Sequence, residues 1–273
     1  MLTTSLTNNT YTIGDQIGEG AFSIVFSCVD EWGNQLAAKV LKPHGTYDAV
    51  KEAAVREFQT LRELRNPNIT FVYDAFEFDH AFYIITEKGE LPLASAFQVP
   101  NLDGRKLIIP IARNILQAVH YLHLNHYAHQ DIHVGNIFAF SIRDEFEPEN
   151  SQKWARKFKL GDLGIAKLFH EIATTNLRAQ DIRPPEVRNP SEFGAPDHRA
   201  DIYHLGLVFL QLALGRQMTF SDAEILAGRP RELALALAQP FNFALEKSLR
   251  RHVAARTASA KELWRDLNSP AAA

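Results

Sequence analysis

The chain holds a single cysteine, Cys28, among its 273 residues, so no disulfide can form within it. One thiol fits a reducing compartment, and its place in the alternating run Ile24–Val29 reads as a buried structural cysteine rather than a reactive one. Long apolar runs are also lacking. The longest, around Leu205–Leu214, is interrupted by Gln211 and is far shorter than the ~20 residues a membrane-spanning helix needs. The first nine residues carry neither a basic cluster nor an apolar core, so they do not read as a secretory signal. A cytoplasmic protein is the expectation. Excess charge of one sign is missing too: 29 Lys and Arg against 32 Asp and Glu give a formal net charge of -3. That balance offers no electrostatic case for nucleic acid or an anionic membrane as a partner. Repeats, low-complexity tracts and long linkers are absent. What is present is 46% hydrophobic and 22% charged residues, ordinary for a globular protein, in a length that suits two domains or lobes.

The first third reads as strand-rich. Ile13 and Ile17 precede Gly18-Glu-Gly-Ala-Phe-Ser23, and the alternating Ile24–Val29 follows, which predicts two strands joined by a turn over Tyr11–Val29. Small residues at the tip let backbone N–H groups approach an anion, although the same pattern also makes a plain turn. The strand Gln35–Leu41 sets Lys39 among apolar residues. A lysine there needs a carboxylate or phosphate partner if buried, or an edge position from which its tip escapes to water. Ala49–Arg65 has helical spacing, with Val50, Ala54, Phe58 and Leu61 on one stripe and Glu57 beside it. Glu52 and Glu63 read as solvated. Thr70–Phe78 and Ala81–Thr86 complete a small antiparallel sheet, and Glu87–Pro92 reads as an extended connector.

The remainder reads as mainly helical. A long helix is predicted over Asp103–Asn125, with Pro110 expected to kink it or to mark a later start. His120, His123, His126 and His129 recur every third residue. That spacing aligns neighbours on a helix, but the last two lie past the predicted helix end and no cysteine or carboxylate completes a ligand set, so a transition-metal site is not expected. The stretch Tyr127-Ala-His-Gln-Asp-Ile-His-Val-Gly-Asn136 follows. Asp131 and Asn136 are separated so that a carboxylate can meet an incoming hydroxyl while an amide oxygen reaches a metal. A second acidic site comes at Leu160-Gly-Asp-Leu-Gly164, where flanking glycines let the chain turn around Asp162. Between the two lies an insertion, about 141–156, read as a solvated hairpin extension. Asp201–Gly215 reads as a buried central helix, and Leu233–Ala238, Phe241–Arg251 and Ser259–Leu267 as further helices.

In this order and at these separations, the motifs from about Tyr11 to Leu267 resemble the eukaryotic-like serine/threonine protein kinases. The resemblance implies an α+β, bilobal protein kinase fold in a single domain, 1–273. It would have a small antiparallel-sheet N-lobe with one main helix (1–86), a hinge (87–92) and a larger, mainly helical C-lobe (93–273). It implies ATP and Mg2+ as cofactors and a protein substrate whose hydroxyl, most often of serine or threonine, receives the phosphoryl group. Asp131 would then take the hydroxyl proton, Lys39 held by Glu57 would grip phosphates, His133 would stand near the transferred group, and Asn136 and Asp162 would hold magnesium. ATP would lie against the hairpin residues Ile17, Gly18, Glu19, Gly20, Ala21, Phe22, Ser23 and Val25. Its adenine would meet Ala37, Thr86 at the gatekeeper position, Glu87, Gly89 and Phe138. His129 would support the catalytic loop, Glu186 in Pro184-Pro185-Glu186 would pair with Arg256, and Asp201 would hold the loop backbone.

Several positions depart from the family pattern. Ser23 replaces the third glycine, and Gln130 replaces the arginine that answers a phosphorylated activation segment in many relatives. The segment Ile165–Val187 is therefore expected to work without phosphate on Thr174 or Thr175. His133 stands for a lysine, and Ala179 for the usual threonine. The pattern His-x-Asp-x-His-x-x-Asn also resembles the catalytic loop of aminoglycoside and choline phosphotransferases, whose acceptors are small molecules. A nucleotide-binding scaffold without transfer is a further alternative. The Glu186–Arg256 pairing and the Asp201 helix favour a protein acceptor.

Overall fold

The computed structural model describes residues 2–5, 10–43, 45–143, 154–164, 166–172 and 183–269. The chain divides into two compact units, Met1–Arg65 with Ile69–Gly89, and Asn66–Asn68 with Glu90–Ala273. The architecture is α+β, with the sheet of the first unit antiparallel and the second unit mainly helical.

The first unit contains β1 (Leu2–Ser5), β2 (Thr10–Glu19), β3 (Ser23–Asp30), β4 (Gln35–Leu41), α1 (Tyr47–Glu63), β5 (Val72–Phe78) and β6 (Ala81–Glu87). The strands pair in the order β1-β2-β3-β4-β6-β5. Alternation in sequence becomes alternation of faces: Tyr11 and Ile13, Leu36 and Ala38, with Cys28 and Ile85, form one buried cluster. Burial pushes the Cys28 thiol up to about 11, so it behaves as the structural cysteine the pattern suggested. Tyr11 stacks on Phe76 at 5.7 Å and donates its hydroxyl hydrogen to Asp74 at 3.1 Å, tying β2 to β5. The β5–β6 hairpin closes on Asp79 and His80, both in left-handed conformation at φ 47 and 59. That turn matches the twist of the flanking strands. Thr46 caps α1 by accepting the Ala49 N–H. The buried face of α1 carries Ala54, Glu57, Thr60 and Leu61, so Glu57 lies on the buried stripe itself rather than beside it. Glu52 and Glu63 are exposed, as expected.

The second unit contains β7 (Leu91–Pro92), α2 (Arg105–Leu124), β8 (Tyr127–Ala128), β9 (Ile137–Arg143), β10 (Trp154–Leu160) and β11 (Lys167–Leu168). Among the described residues there follow the helices α3 (Pro185–Arg188), α4 (Pro190–Phe193), α5 (Arg199–Leu214), α6 (Asp222–Ala227), α7 (Arg229–Leu235), α8 (Asn242–Ser248) and α9 (Ala260–Asn268). The helix α2 runs through Pro110, so the later start does not occur. Its buried residues, from Ile108 to Leu122, pack on α5, α9 and β10, and that burial offsets the one hydrogen bond a proline removes. The strands β9 and β10 pair from Ile137↔Leu160 out to Arg143↔Trp154, so the hairpin arms extend into the expected insertion; residues 144–153 lie outside the described residues. So do Ile165, Thr174, Thr175 and Ala179.

The sequence places α5 correctly because a helix apolar all round has to be interior. Every residue from Ala200 to Leu212 is buried. Gln211, the polar interruption, donates to the Leu207 carbonyl and accepts the Met218 N–H. Gly206 is required by α8, since a Cβ there would sit 2.5 Å from Ser248 Oγ. The expected 233–238 helix is displaced to Arg229–Leu235. Gly228, left-handed at φ 87, ends α6 and starts α7, and Pro230 sits in the first turn of α7, where no N–H is needed.

Candidate active site

Lys39 lies on β4, which is flanked by β3 and β6, so it is not an edge lysine. Its Nζ stands 2.7 Å from Glu57 Oε1, with the side chains 13% and 6% exposed. Facing charges at that depth stabilise one another, and removing either takes an opposite charge from a group already desolvated. At the glycine-bearing hairpin, β2 ends at Glu19 and β3 begins at Ser23. The Gly20 N–H donates to the Ser23 carbonyl. Lys42, a residue the sequence did not single out, spans the tip by donating to Glu19 Oε1 at 2.6 Å and to the Gly20 carbonyl at 2.9 Å. Ile17 and Gly18 lie on β2, Val25 faces both Gly18 and Lys39, and Ala37 faces Thr86. Ala21 and Phe22 form the rest of the tip. Glu87 accepts the Phe71 N–H at 2.7 Å and returns its own N–H to the Phe71 carbonyl, and Gly89 closes this unit. Phe138 belongs to the second unit, on β9 opposite Lys159.

In the second unit the loop between β8 and β9 is held by a single buried carboxylate. Asp201 accepts the backbone N–H groups of His129 at 2.9 Å and Gln130 at 2.8 Å, and meets His123 Nε2 at 2.9 Å. Burial alone would raise its pKa, but the His123 hydrogen bond and the neighbouring imidazoles outweigh it and hold the carboxyl at about 2. His129 is fully buried. Its Nδ1 accepts the Asp131 N–H at 3.2 Å, which leaves the ring proton on Nε2 to donate to the Gly161 carbonyl at 3.0 Å. The same logic fixes His133: Nδ1 accepts the Gly135 N–H at 3.0 Å, and Nε2 lies 3.8 Å from Asp131 Oδ2. Asn136 donates its amide hydrogens to the Asp131 carbonyl at 2.9 Å and to Asp131 Oδ2 at 3.3 Å. The amide oxygen is then what Asn136 can offer a cation. The Gly161 N–H donates to the Asn136 carbonyl at 2.8 Å, which brings the Asp162 loop beside Asn136.

At Asp162 the turn forms differently from the sequence expectation. Asp162 itself takes the left-handed conformation, φ 59, and its Oδ1 accepts the Gly164 N–H at 3.1 Å. An aspartate tolerates that region because its short side chain bonds the backbone two residues on. Glu186 and Arg256 form a two-pronged pair at 2.7 Å and 2.7 Å, with both side chains at 0% exposure.

Residues 11–267 match the family model for the protein kinase domain. The chain belongs to that family. Among curated relatives, it is 26% identical over 243 residues to cell division control protein 2 homolog 3 of Trypanosoma brucei brucei, covering 85% of this chain and 71% of that one. It is 27% identical over 218 residues to serine/threonine-protein kinase KIN28 of Saccharomyces cerevisiae, covering 76% of this chain and 64% of that one. Identity to the probable serine/threonine-protein kinase zyg-1 of Caenorhabditis briggsae is 30% over 196 residues, covering 71% of this chain and 25% of that one. The kinase-domain chain thus spans less than two thirds of the last two.

For this protein kinase domain, sequence reasoning missed His123 as a partner of Asp201. The histidine spacing was the available signal, but the partner lies 78 residues away on another helix. Among the described residues no group of three or more His, Cys, Asp or Glu gathers as a metal centre, and the four spaced histidines have other partners or none of that kind.

Proposed function

We propose that this kinase-family chain transfers a phosphoryl group from ATP to a serine or threonine hydroxyl with magnesium, and that its two units are the lobes of one kinase domain. The observation that carries the reading is the bond from the Asn136 amide to Asp131. It aims a carboxylate and an amide oxygen, five residues apart, from one rigid loop. Asn136 Oδ1 and the Asp162 carboxylate are hard oxygen donors of the kind magnesium prefers, and Asp131 remains the group able to take the acceptor's hydroxyl proton. Bound Mg–ATP supplies the phosphoryl group and neutralises charge on it. Lys39, kept extended by Glu57, offers an ammonium to phosphate oxygens. His133 Nε2 lies 3.8 Å from Asp131 Oδ2, beyond hydrogen-bond reach but beside the carboxylate. With the nucleotide bound, Asp131 would take the proton of the acceptor hydroxyl as that oxygen replaces ADP on the transferred phosphorus.

A protein acceptor is favoured by the buried Glu186–Arg256 pair, which anchors the end of the segment Ile165–Val187. The relatives' names as serine/threonine kinases point the same way. No helix among the described residues is long and apolar enough to cross a membrane, and a cytoplasmic site of action fits the one buried cysteine. The test is labelled ATP with a generic basic protein, beside small alcohols and an Asp131→Asn control. Label on protein serine or threonine, lost in the control, supports the reading. Label on the alcohols alone makes the chain a small-molecule phosphotransferase, and nucleotide-dependent stabilisation with no transfer makes it a scaffold.

A further inference from the structure

Two of the four spaced histidines converge on one aromatic ring. Phe169 lies flat on His198, with centroids 4.6 Å apart at 17°, and meets the edges of His123 and His126, each at 5.8 Å. His123 and His198 touch one another at 4.9 Å. The backbone is tied at the same place: the Phe169 N–H donates to the His126 carbonyl at 2.8 Å, and Lys167 and Leu168 pair with Ala128 and Tyr127. The segments so joined are the one leaving the Asp162 loop and the one leading into His129–Asn136. His123 also bonds Asp201, which holds the His129 and Gln130 N–H groups.

We propose that Phe169 is a positioning residue whose imidazole cage fastens the Asp162 loop to the Asp131 loop, and that acid loosens this fastening through His198. Its turnover arm rests on the kinase reading; its exchange arm does not. Phe169 stands seven residues beyond Asp162 and acts through its neighbours, since stacked and edge-on rings at these separations attract and fix one another's orientation. A charged His198 would gain something from the face of Phe169. Burial, and then the adjacent His123, nevertheless hold the His198 pKa below its ordinary 6.5, against the pull of Asp197, the Ala258 carbonyl and Asp201. A lowered histidine pKa means that the folded cage prefers the neutral ring. Its contribution is complete above about 6.5 and is lost as pH falls through the lower folded value. The other groups facing the cage are Arg199, which chelates Asp197, and His129 and His204 around Asp201. On the Phe169 segment they are Lys167, His170 and Glu171, whose carboxylate accepts the Leu168 N–H.

The test follows hydrogen exchange at the amides of 127–128 and 167–169 in the whole chain at about pH 7.5 and about pH 5.5, either side of ordinary imidazole titration, corrected for intrinsic rates. It is read beside turnover. Phe169→Ala should raise exchange there and lower kcat at least ~10-fold with KM for ATP within ~2-fold, and Phe169→Tyr should restore both. His198→Phe keeps a ring on Phe169 that cannot charge, and should abolish both the acid-induced exchange and the acid fall in kcat. Phe169→Leu replaces Phe169→Ala if the alanine variant does not fold. The proposal is overturned if Phe169→Ala leaves exchange and kcat within ~2-fold, or if His198→Phe keeps the wild-type acid response. A wild-type chain without turnover sinks the kinase reading instead, and exchange alone then decides for or against the cage.

Discussion

Arg256→Ala would strand a carboxylate that has no access to water. All five guanidinium N–H groups of Arg256 are matched: Nη1 to Glu186 Oε1 and the Arg199 carbonyl, Nη2 to Glu186 Oε2 and the Arg251 carbonyl, Nε to the Arg250 carbonyl. The guanidinium also lies 4.9 Å from the Tyr203 ring. Breaking a fully buried pair by removing one partner costs about 3–5 kcal/mol, and the three lost bonds to carbonyls add about 1 kcal/mol each at most, less where water enters the hole. We expect about 5 kcal/mol, a large part of the roughly 5–15 kcal/mol by which domains are stable. With Trp154, the third tryptophan, replaced by phenylalanine, Trp264 on α9 reports the second unit and Trp32 the first, so urea titration by fluorescence should show the loss in the Trp264 signal. Melting of that unit should fall by about 10–20 °C. Arg256→Lys should recover part of this, since an ammonium cannot make the fork. Replacing Glu186 and Arg256 together by methionine should cost less than Arg256→Ala alone. A loss under about 1 kcal/mol for Arg256→Ala, the scale of a surface pair, would refute the account, as would a double variant costing the sum of the singles.

Four further outcomes are expected. Lys39→Met should lower kcat/KM for ATP at least ~100-fold and also destabilise the first unit, because Glu57 loses the Lys39 ammonium at 6% exposure; unchanged stability in a melt of that unit would contradict the buried-pair reasoning. Asp201, held at about 2 against 3.8, contributes about 2 kcal/mol. A depressed carboxyl gives stability that is full above about pH 5 and lost as pH falls toward 2, so Asp201→Asn should flatten the acid limb of a urea titration series, and an unaltered limb would count against it. Thr174→Ala with Thr175→Ala should keep turnover within about 3-fold. Gln130 is neutral and buried, and among the described residues its Nε2 has no acceptor, so it offers no cation to a phosphate; abolished turnover would end that idea. Deleting residues 144–152 should leave turnover on a generic substrate within about 3-fold, since β9 and β10 are already paired to Arg143↔Trp154.

Period-two alternation in the first unit was legible because one face of each strand meets the core, and the burial of Cys28 follows from that. The central helix was legible for a different reason: no surface helix carries so many apolar residues on every side. Element edges were less so. Pro110 looked like a boundary because the sequence shows the missing N–H but not the burial along α2 that outweighs it. Glu57 looked like a neighbour of the apolar stripe because a carboxylate alone would avoid the interior. It sits inside because Lys39 waits on β4, and an ion pair changes which face a helix can bury. The strand β1 has no pattern of its own and forms by pairing with β2.

The histidines mark where periodicity stops being informative. Three-residue spacing along α2 states which side chains share a face, and that made a shared metal worth weighing. What stands opposite the face is set by other parts of the chain: Asp201, which draws in His123, and Phe169 with His198, which draw in His123 and His126. Asp201 itself could be assigned a partner from sequence, because a carboxylate in an apolar helix must find donors. An imidazole carries no such obligation, being small, weakly polar when neutral and able to accept, donate or stack. Its role is therefore legible only once the group across from it is known, and here that group is a carboxylate in one direction and a phenyl ring in the other.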